Sequence, residues 1–178
     1  NISDRQVQYA TERAAREGLN HKLTFCHGEA EVLPGIENAS VDRLVAIECA
    51  FYFDRPRFYQ RVAQVLKPNG LLVVADIQMS DRMAFLARRD QPHRFGTVAT
   101  NRREWERYFR ARSIRNINRE TRPGAQMSVW QILKTVPFAR LSAAEGREWL
   151  KMAYYSQLVA LGLSLGLVTY DLMVLEPK

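Results

Sequence analysis

Two apolar runs joined by a capped helix constrain the fold of this chain more than any other feature. Residues 43–49 (RLVAIEC) and 71–77 (LLVVADI) are short and mostly apolar, as is typical of parallel strands buried on both faces. Between them Asp54 can cap a helix with Pro56 in its first turn. One face of this helix carries Phe58, Val62, Val65 and Leu66. The sequence therefore predicts a right-handed βαβ crossover, an α/β fold and two adjacent parallel strands.

Both predicted strands end on an acidic residue, Glu48 in the first and Asp76 in the second. A single acid at a strand end is common, because the chain leaves the core there. Ligands of open α/β sheets bind at the carboxyl ends of the parallel strands. Two acids at equivalent ends of adjacent strands therefore favour a binding site at this edge.

A longer segment that includes both strands, AIECAFYFDRPRFYQRVAQVLKPNGLLVVADI, resembles class I S-adenosylmethionine-dependent methyltransferases of the small-molecule type. Similar motifs occur in family order at residues 1–6 (NISDRQ), 28–30 (GEA) and 166–175, so the resemblance covers nearly the whole chain. It implies a Rossmann-like, doubly wound, mostly parallel sheet with an antiparallel last strand. It also implies one domain over residues 1–178 that uses S-adenosylmethionine.

The family's first strand and glycine-rich turn have no counterpart in this sequence. No G-x-G-x-x-G-like motif follows any predicted strand, and Gly162 and Gly166 suit helix packing or a chain turn better. We therefore expect an N-terminally truncated methyltransferase domain, a fragment whose N-terminal part is missing.

The resemblance also implies cofactor contacts. The position of Asn1 is usually acidic and hydrogen-bonds the ribose hydroxyls, which an uncharged amide does more weakly. By position, the Glu29 carboxylate accepts a hydrogen bond from the adenine amino group, and the backbone N–H of Ala30 reaches a ring nitrogen. The implied cofactor-binding residues are Asn1, Ile2, Gln6, Gly28, Glu29, Ala30, Ile47 and Glu48. No metal site is expected, since Cys26 and Cys49 lack metal-ligand spacing.

Methyl transfer from a sulfonium is an in-line displacement, so the protein mainly aligns the acceptor and excludes water. In relatives a histidine often occupies the position of Tyr52 and can serve as a base. Tyrosine, with a reference pKa of about 10, is a poor base but can orient a substrate. Asp76 then becomes the candidate to accept a proton or position the acceptor. We predict catalytic roles for Asp76 and Tyr52. His93 could replace the missing base if its segment folds inward, but a lone histidine in a polar loop is more often a surface residue.

The remaining segments give weaker expectations. Ser3 and Gln6 form a capping box for a helix with an apolar stripe, which Gly18 can end. Residues 22–27 are predicted as a strand, 79–101 as a variable lid or insert and 113–122 as a weak strand. A helix is predicted after Thr100, and residues 127–136 and 142–161 are predicted as helices that cover the pocket. The apolar side chains of these last two helices are expected in the core.

Charge and hydropathy bear on the partners. The net charge is +7, and residues 82–122 hold twelve arginines against four acidic residues. This basic stretch can steer an anionic acceptor or RNA, but a solvated helix face bearing Arg103, Arg107 and Arg110 explains much of it. The aromatic-and-proline signature of base-amine methylation is absent, so a nucleic-acid partner is not expected. Residues 158–175 are too short and too interrupted for a membrane span. Cys26 and Cys49 are expected as buried free thiols, which favours the cytoplasm.

Two functions are compatible with these patterns. The first is S-adenosylmethionine-dependent methyl transfer to a small molecule, with oxygen, nitrogen and carbon acceptors all possible. The alternative is a non-catalytic binding or regulatory module of the same fold, favoured by the missing glycine turn and by Tyr52. RNA methylation is a weaker third, and no motif specifies an oligomeric state.

Overall fold

The computed structural model describes residues 1–86, 96–135 and 142–178. The helices are α1 (Asp4–Arg16), α2 (Arg55–Val65), α3 (Val98–Trp105), α4 (Asn118–Thr135) and α5 (Ala143–Leu165). The strands are β1 (Val41–Ile47), β2 (Leu66–Met79), β3 (Phe109–Asn116) and β4 (Val168–Pro177). Two short 3-10 helices lie at Ala50–Tyr52 and Asp81–Leu86.

The four strands form one mixed sheet in the order β1-β2-β4-β3. β1 and β2 are parallel neighbours, with Ala46 opposite Val74, so the predicted βαβ unit is confirmed. β4 runs antiparallel to both β2 and β3, as expected of the last strand. This register brings the carboxyl ends of β1, β2 and β3 to the same edge of the sheet as the start of β4.

Helices cover both faces of the sheet, as a doubly wound fold requires. On one face, side chains of α2 and α3 pack on alternate residues of β2 and β4. The largest buried side chains there are Phe58, Tyr59, Val62, Trp105, Phe109, Leu72, Val74 and Leu175. On the other face, Leu163 of α5 packs with Ala75 and Tyr170. Because successive strand residues point to opposite faces, residue parity along β2 and β4 decides which layer each side chain enters.

The first strand differs from its prediction. β1 is the outer strand of the described sheet, and Val45 and Ile47 are 58% and 61% exposed. The expectation of burial on both faces is therefore wrong for β1, because an apolar run is buried on both faces only where other elements cover it. β2 is covered on both faces: Leu72 and Val74 are fully buried on one face, and on the other Ala75 is buried and Val73 and Ile77 are half-buried.

Residues 22–27 form no strand in the described part of the chain. Leu23 and Phe25 are 44% and 37% exposed, and no described strand lies beside them to complete a ladder. The segment is held by turn hydrogen bonds at its start, from the Lys22 and Leu23 N–H groups to the Leu19 carbonyl, and at its end by bonds from the Asn1 amine to the Cys26 carbonyl and from the Gly28 N–H to the Asn1 carbonyl. Cys26 is thus exposed and Cys49 half-buried, contrary to the expectation of two buried thiols.

In the second half of the chain, two boundaries of helices and strands differ from the predicted ones. The predicted helix after Thr100 is α3, which ends at Trp105, and Phe109 already begins β3. Residues 113–122 are therefore not one strand: β3 ends at Asn116 and α4 starts at Asn118, where the Asn116 side chain accepts the Asn118 N–H. Residues 87–95 of the expected lid, with His93, lie outside the described residues, and so does Val136 at the end of a predicted helix.

The two long helices expose much of their apolar surface. Ala153, Ala160 and Leu163 are buried, but other large side chains are about half exposed, which corrects the expectation that they form core. The exposed residues are Met127, Trp130, Leu150, Met152, Tyr154, Tyr155, Leu158, Leu161 and Leu165. α5 is apolar nearly all round, yet the described elements cover only one side of it. None of the described helices is long and apolar enough to cross a membrane.

Candidate functional site

The site begins where β1 leaves the sheet. The backbone N–H of Glu48 donates to the Ala75 carbonyl at 2.9 Å, which extends the parallel pairing by one residue. Glu48 then adopts φ of 54°, in the left-handed region that non-glycine residues rarely occupy. Such backbone strain occurs preferentially at functional sites. The turn directs the chain into the 3-10 helix Ala50–Tyr52 and leaves the Glu48 side chain exposed.

Asp76, at the equivalent place on β2, is 5% exposed. Its Oδ1 accepts the backbone N–H of Ile77 at 3.0 Å. Burial raises the pKa of Asp76 to about 7, although that hydrogen bond, the charge of Arg55 and the backbone of Phe51 favour the ionised form. The nearby Glu48 acts with burial to raise the pKa. The carboxyl group is therefore able to exchange a proton close to neutral pH.

The direction of the Asp76 side chain follows from strand parity. Leu72 and Val74 of β2 face the layer of α2 and α3, so Asp76 and Gln78 face the same layer. Asp171 of β4 lies directly opposite Asp76 across the sheet. The polar end of this layer also holds a buried ion pair between Arg55 Nε and Glu104 Oε2, at 2.7 Å.

Tyr52 ends the 3-10 helix beside Asp76 and is 57% exposed. Its ring centroid lies 4.3 Å from that of Phe51, which is buried. The backbone of Phe51 is among the groups that lower the pKa of Asp76, so the carboxyl group lies against the turn that carries Tyr52. The two predicted catalytic residues therefore belong to one local structure, in which Asp76 is buried and Tyr52 is accessible.

The structure also brings together several of the implied cofactor residues. Asn1 Nδ2 donates to Gln6 Oε1 at 2.7 Å, and Asn1 Oδ1 accepts the Ser3 N–H at 3.0 Å. The Asn1 carbonyl accepts the Gly28 N–H at 3.0 Å. Ser3 caps α1 as predicted, but the Gln6 side chain binds Asn1 rather than completing the capping box. Asn1, Gln6 and Gly28 thus form one hydrogen-bonded group.

The turn that follows Gly28 is tightly built. Gly28 has φ of 151°, and a Cβ at this position would lie 2.4 Å from Pro34 Cγ, so only glycine fits. The Glu29 carbonyl accepts the N–H groups of Val32 and Leu33, while the Glu29 side chain is exposed and available to a ligand. Ala30 packs against the main core. These features fit the adenine-reading role that the resemblance implies.

Sequence reasoning missed the residues that fix this turn to the strand edge. Glu31 Oε1 accepts the backbone N–H of Asp54 at 2.7 Å, which ties the turn to the cap of α2. Arg61 of α2 donates to the carbonyls of Val32 and Ile36 and to Asn38 Oδ1. No local pattern signals these contacts, because each joins residues more than twenty positions apart.

Tyr170 is a further residue that the sequence did not indicate. It is 8% exposed on β4, and burial together with the neighbouring Glu48 raises the pKa of Tyr170. Its hydroxyl therefore lies beside Glu48, on the opposite face of the sheet from Asp171. Within residues 1–86, 96–135 and 142–178 no group of three histidine, cysteine, aspartate or glutamate side chains is placed to hold a metal ion.

The described residues thus form a mixed α/β sheet with a strained acidic strand end, a second acid beside it and an asparagine–glycine cluster linked to the same edge. Comparisons with known proteins agree. Residues 1–74 match the family described as methyltransferase domain. Erythromycin 3''-O-methyltransferase from Saccharopolyspora erythraea is 37% identical over 78 residues, which are 43% of this chain and 25% of that protein. The match thus spans about a quarter of that relative.

Solved structures extend the similarity of fold to the whole chain. Geranyl diphosphate C-methyltransferase from Streptomyces coelicolor A3(2), in complex with Mg²⁺, geranyl diphosphate and S-adenosyl-L-homocysteine, has a TM-score of 0.77 at 11% identity, covering 100% of this chain and 61% of that one. The cyclase SpnF has a TM-score of 0.80 at 17% identity, covering 99% of this chain and 64% of that one. The chain therefore shares the fold of these solved structures, and its residues 1–74 match the methyltransferase-domain family, in agreement with the resemblance.

Proposed function

We propose that the protein transfers a methyl group from S-adenosylmethionine to a small-molecule acceptor at the carboxyl edge of β1 and β2. The observation that carries the proposal is the linked group of Asn1, Gln6 and Gly28, whose turn Glu31 ties to the cap of α2. This arrangement supports a ribose-binding role for the segment at Asn1 and an adenine-binding role for the Gly28 turn, near the strand ends that hold Glu48 and Asp76.

In this proposal the cofactor is held by the residues that the resemblance implies. The second hydrogen on Asn1 Nδ2 donates to a ribose hydroxyl, since the first is used by Gln6. The exposed Glu29 carboxylate accepts from the adenine amino group, and the Ala30 N–H donates to a ring nitrogen. Ile2, Ile47 and Glu48 line the remaining side, with Glu48 held near the buried hydroxyl of Tyr170.

The catalytic roles follow from burial and proton affinity. Bound S-adenosylmethionine supplies the methyl group, and the protein aligns the acceptor for in-line attack. Tyr52, exposed at the edge, orients the acceptor through its hydroxyl. Asp76 is buried behind the Tyr52 turn, and its pKa of about 7 suits it to accept a proton or to fix that turn in place.

The acceptor is proposed to be small and to carry a negative charge. β3 ends at the site edge, because Asn116 lies opposite Asp171, whereas Arg110 lies at the other end, opposite Glu176. Arg115, Arg119 and Arg122 lie in the segment around this end of β3 and the start of α4, and their charge favours an anionic group. The geranyl diphosphate enzyme of similar fold is an example of a methyltransferase with an anionic ligand.

We further propose that residues 1–178 form one domain in which the 79–101 segment serves as a lid and α4 and α5 cover the acceptor. The exposed apolar side chains of these helices suit an acceptor with an apolar body. Both cysteines are free, with Cys26 exposed, which suits a reducing compartment such as the cytoplasm.

The test is methyl transfer by the intact protein, measured by mass spectrometry against a panel of anionic and neutral small molecules. Asp76→Asn should lower kcat by about 10²-fold, the lower range for loss of a general base, and leave the Kd for S-adenosylhomocysteine unchanged. Asp42→Asn, an exposed change on β1, is the matched control and should behave as wild type.

Three other outcomes count against the proposal. Full turnover in Asp76→Asn with loss in Tyr52→Phe would exchange the two roles. Cofactor binding with no methylated product across the panel would favour the non-catalytic binding module. Equal KM values for an anionic acceptor in wild type and in Arg119→Gln/Arg122→Gln would contradict the proposal that the acceptor is anionic. Arg110→Gln is the control variant.

A further inference from the structure

A buried carboxylate on β4 is the centre of a chain of polar side chains. Asp171 is 7% exposed. Its Oδ2 accepts from Gln78 Nε2 at 2.8 Å and from Thr169 Oγ1 at 3.1 Å, while its Oδ1 accepts from Asn116 Nδ2 at 3.0 Å. A buried carboxylate without donors is strongly destabilising, so these three bonds largely determine how the group is tolerated.

The series of side-chain hydrogen bonds continues in both directions from Asp171. Towards α3, Gln78 Oε1 accepts from Asn101 Nδ2 at 2.8 Å. Towards α4, Asn116 Nδ2 also donates to Asn118 Oδ1 at 3.2 Å, and Asn116 Oδ1 accepts the Asn118 N–H at 3.2 Å. Side-chain hydrogen bonds thus connect α3, β2, β4, β3 and the first residue of α4.

Asn118 then joins the start of α4 to the end of α5. Its Nδ2 donates to the carbonyls of Leu163 at 3.3 Å and Val168 at 3.1 Å, and its Oδ1 accepts the Tyr170 N–H at 2.6 Å. A single asparagine therefore fixes the point at which the α4–α5 hairpin meets the sheet.

The packing of α5 on the sheet lies at the same end of the hairpin as this anchor. The side chains of α5 that pack on the sheet, Val159 and Leu163, lie near its carboxyl end. Large side chains towards its amino end, such as Leu150 and Tyr154, are exposed. We expect a displacement at the anchor to move the described residues that lie farthest from it, those towards the amino end of α5, the most.

We propose that Asp171 and Asn116 are positioning residues, whose mutual hydrogen bond sets the place of the α4–α5 hairpin over the acceptor. The proposal rests on the proposed function, since it assigns the hairpin to the acceptor of the same site. Asp171 lies opposite Asp76. The register between β2 and β4 therefore sets both the place of the Asp76 carboxyl group and the place of the side chain that anchors the hairpin.

The variant Asp171→Asn breaks this bond selectively. With its oxygen in the place of Oδ2, the new amide still accepts from Gln78 and Thr169, but its nitrogen then faces the Asn116 nitrogen, donor against donor. Amide hydrogen exchange in the intact protein should accelerate by about tenfold or more in peptides over residues 117–127 and 160–168. Peptides over α2 should be unchanged. Ser113→Ala on β3 is the matched control and should leave all peptides unchanged.

The exchanged pair Asp171→Asn/Asn116→Asp restores a donor and an acceptor across the broken bond. Amide hydrogen exchange in the double variant should return most of the way to the wild-type rate, although the hydrogen bond from residue 116 to Asn118 Oδ1 is lost. If Asp171→Asn fails to fold, the exposed Asn116→Ala variant should show the same acceleration. Unchanged exchange in the single variants, or no recovery in the exchanged pair, would overturn the proposal.

A kinetic measurement separates a structural from a positioning role. For an acceptor found in the panel above, Asp171→Asn should raise the acceptor KM about fivefold or more, with the Kd for S-adenosylhomocysteine unchanged, and the exchanged pair should lower the KM again. Accelerated exchange with an unaltered KM would overturn the link to the acceptor. Absence of methyl transfer in the wild-type protein would refute the proposed function, whereas hydrogen exchange would still test the anchor.

Discussion

Replacing Asp76 with asparagine should remove a large part of the pH dependence of stability. In the folded protein burial holds the pKa of Asp76 at about 7, against 3.8 for an ordinary aspartate. Between these values the folded state retains a proton that the unfolded state has released. Since the folded state binds more protons, the free energy of unfolding falls as the pH rises from about 4 to about 7.

The magnitude follows from the size of the shift. Each pKa unit corresponds to about 1.4 kcal/mol, so moving from about pH 5 to about pH 8 should destabilise wild type through this group by roughly 2–3 kcal/mol. Asparagine has a similar shape and no titrating proton. The Asp76→Asn variant should therefore gain roughly 2–3 kcal/mol relative to wild type across the same interval, because all other groups titrate alike in both proteins.

Denaturant unfolding of both proteins at about pH 5 and about pH 8 measures this difference. Asp42→Asn is the control, because the hydrogen bond and charge of Lys67 lower the pKa of Asp42. Asp42 is thus ionised in both folded and unfolded states over this interval, and its loss should not change the pH dependence. A wild-type and Asp76→Asn difference that is the same at both pH values would refute the argument from burial.

Two further predictions concern the Gly28 turn. Glu29→Ala should weaken S-adenosylhomocysteine binding by about 1–3 kcal/mol in calorimetry, whereas Glu37→Ala in the same loop should not. Equal affinities of wild type and Glu29→Ala would contradict the proposed contact with adenine. Gly28→Ala should lower the free energy of unfolding by about 1–3 kcal/mol, since its Cβ would lie 2.4 Å from Pro34 Cγ. Gly35→Ala meets no atom within 4 Å, has a φ of +75° and should be the milder change, which thermal unfolding can compare.

The parts of the fold that local pattern determines were predictable. Asp54 accepts the Arg57 N–H at the start of α2, and Gly18 takes a positive φ just after α1, as the sequence indicated. The βαβ unit was predictable because its strands and helix are adjacent in sequence. The exposure of β1 was not, because an apolar run shows what a strand can bury and not which neighbours cover it.

The candidate site was predictable only in part, and the reason lies in sequence separation. Glu31 and Asp54 are 23 positions apart, and Gln78 and Asp171 are 93 apart. Neither pair produces a local pattern. The resemblance assigned Asn1, Gln6 and Gly28 to one ligand, and their hydrogen bonds confirm that these residues lie together without testing what they bind.

The face on which Asp76 lies shows most clearly what a sequence of this kind leaves open. In LLVVADI every residue before Asp76 is apolar, so alternation, the usual indicator of which side faces the core, is absent. The structure resolves the parity through packing: Leu72 and Val74 contact the α2 layer, which places Asp76 and Gln78 beneath that layer too. Antiparallel pairing then places Asp171 opposite Asp76. Had β2 shifted by one residue, Asp76 and Gln78 would face α5 instead, so that Asp76 would lose its contact with Phe51 and Asp171 would lose its hydrogen bond from Gln78. The proton affinity of Asp76 and the hydrogen bonds of Asp171 thus both depend on the register between β2 and β4, which only the assembled sheet determines.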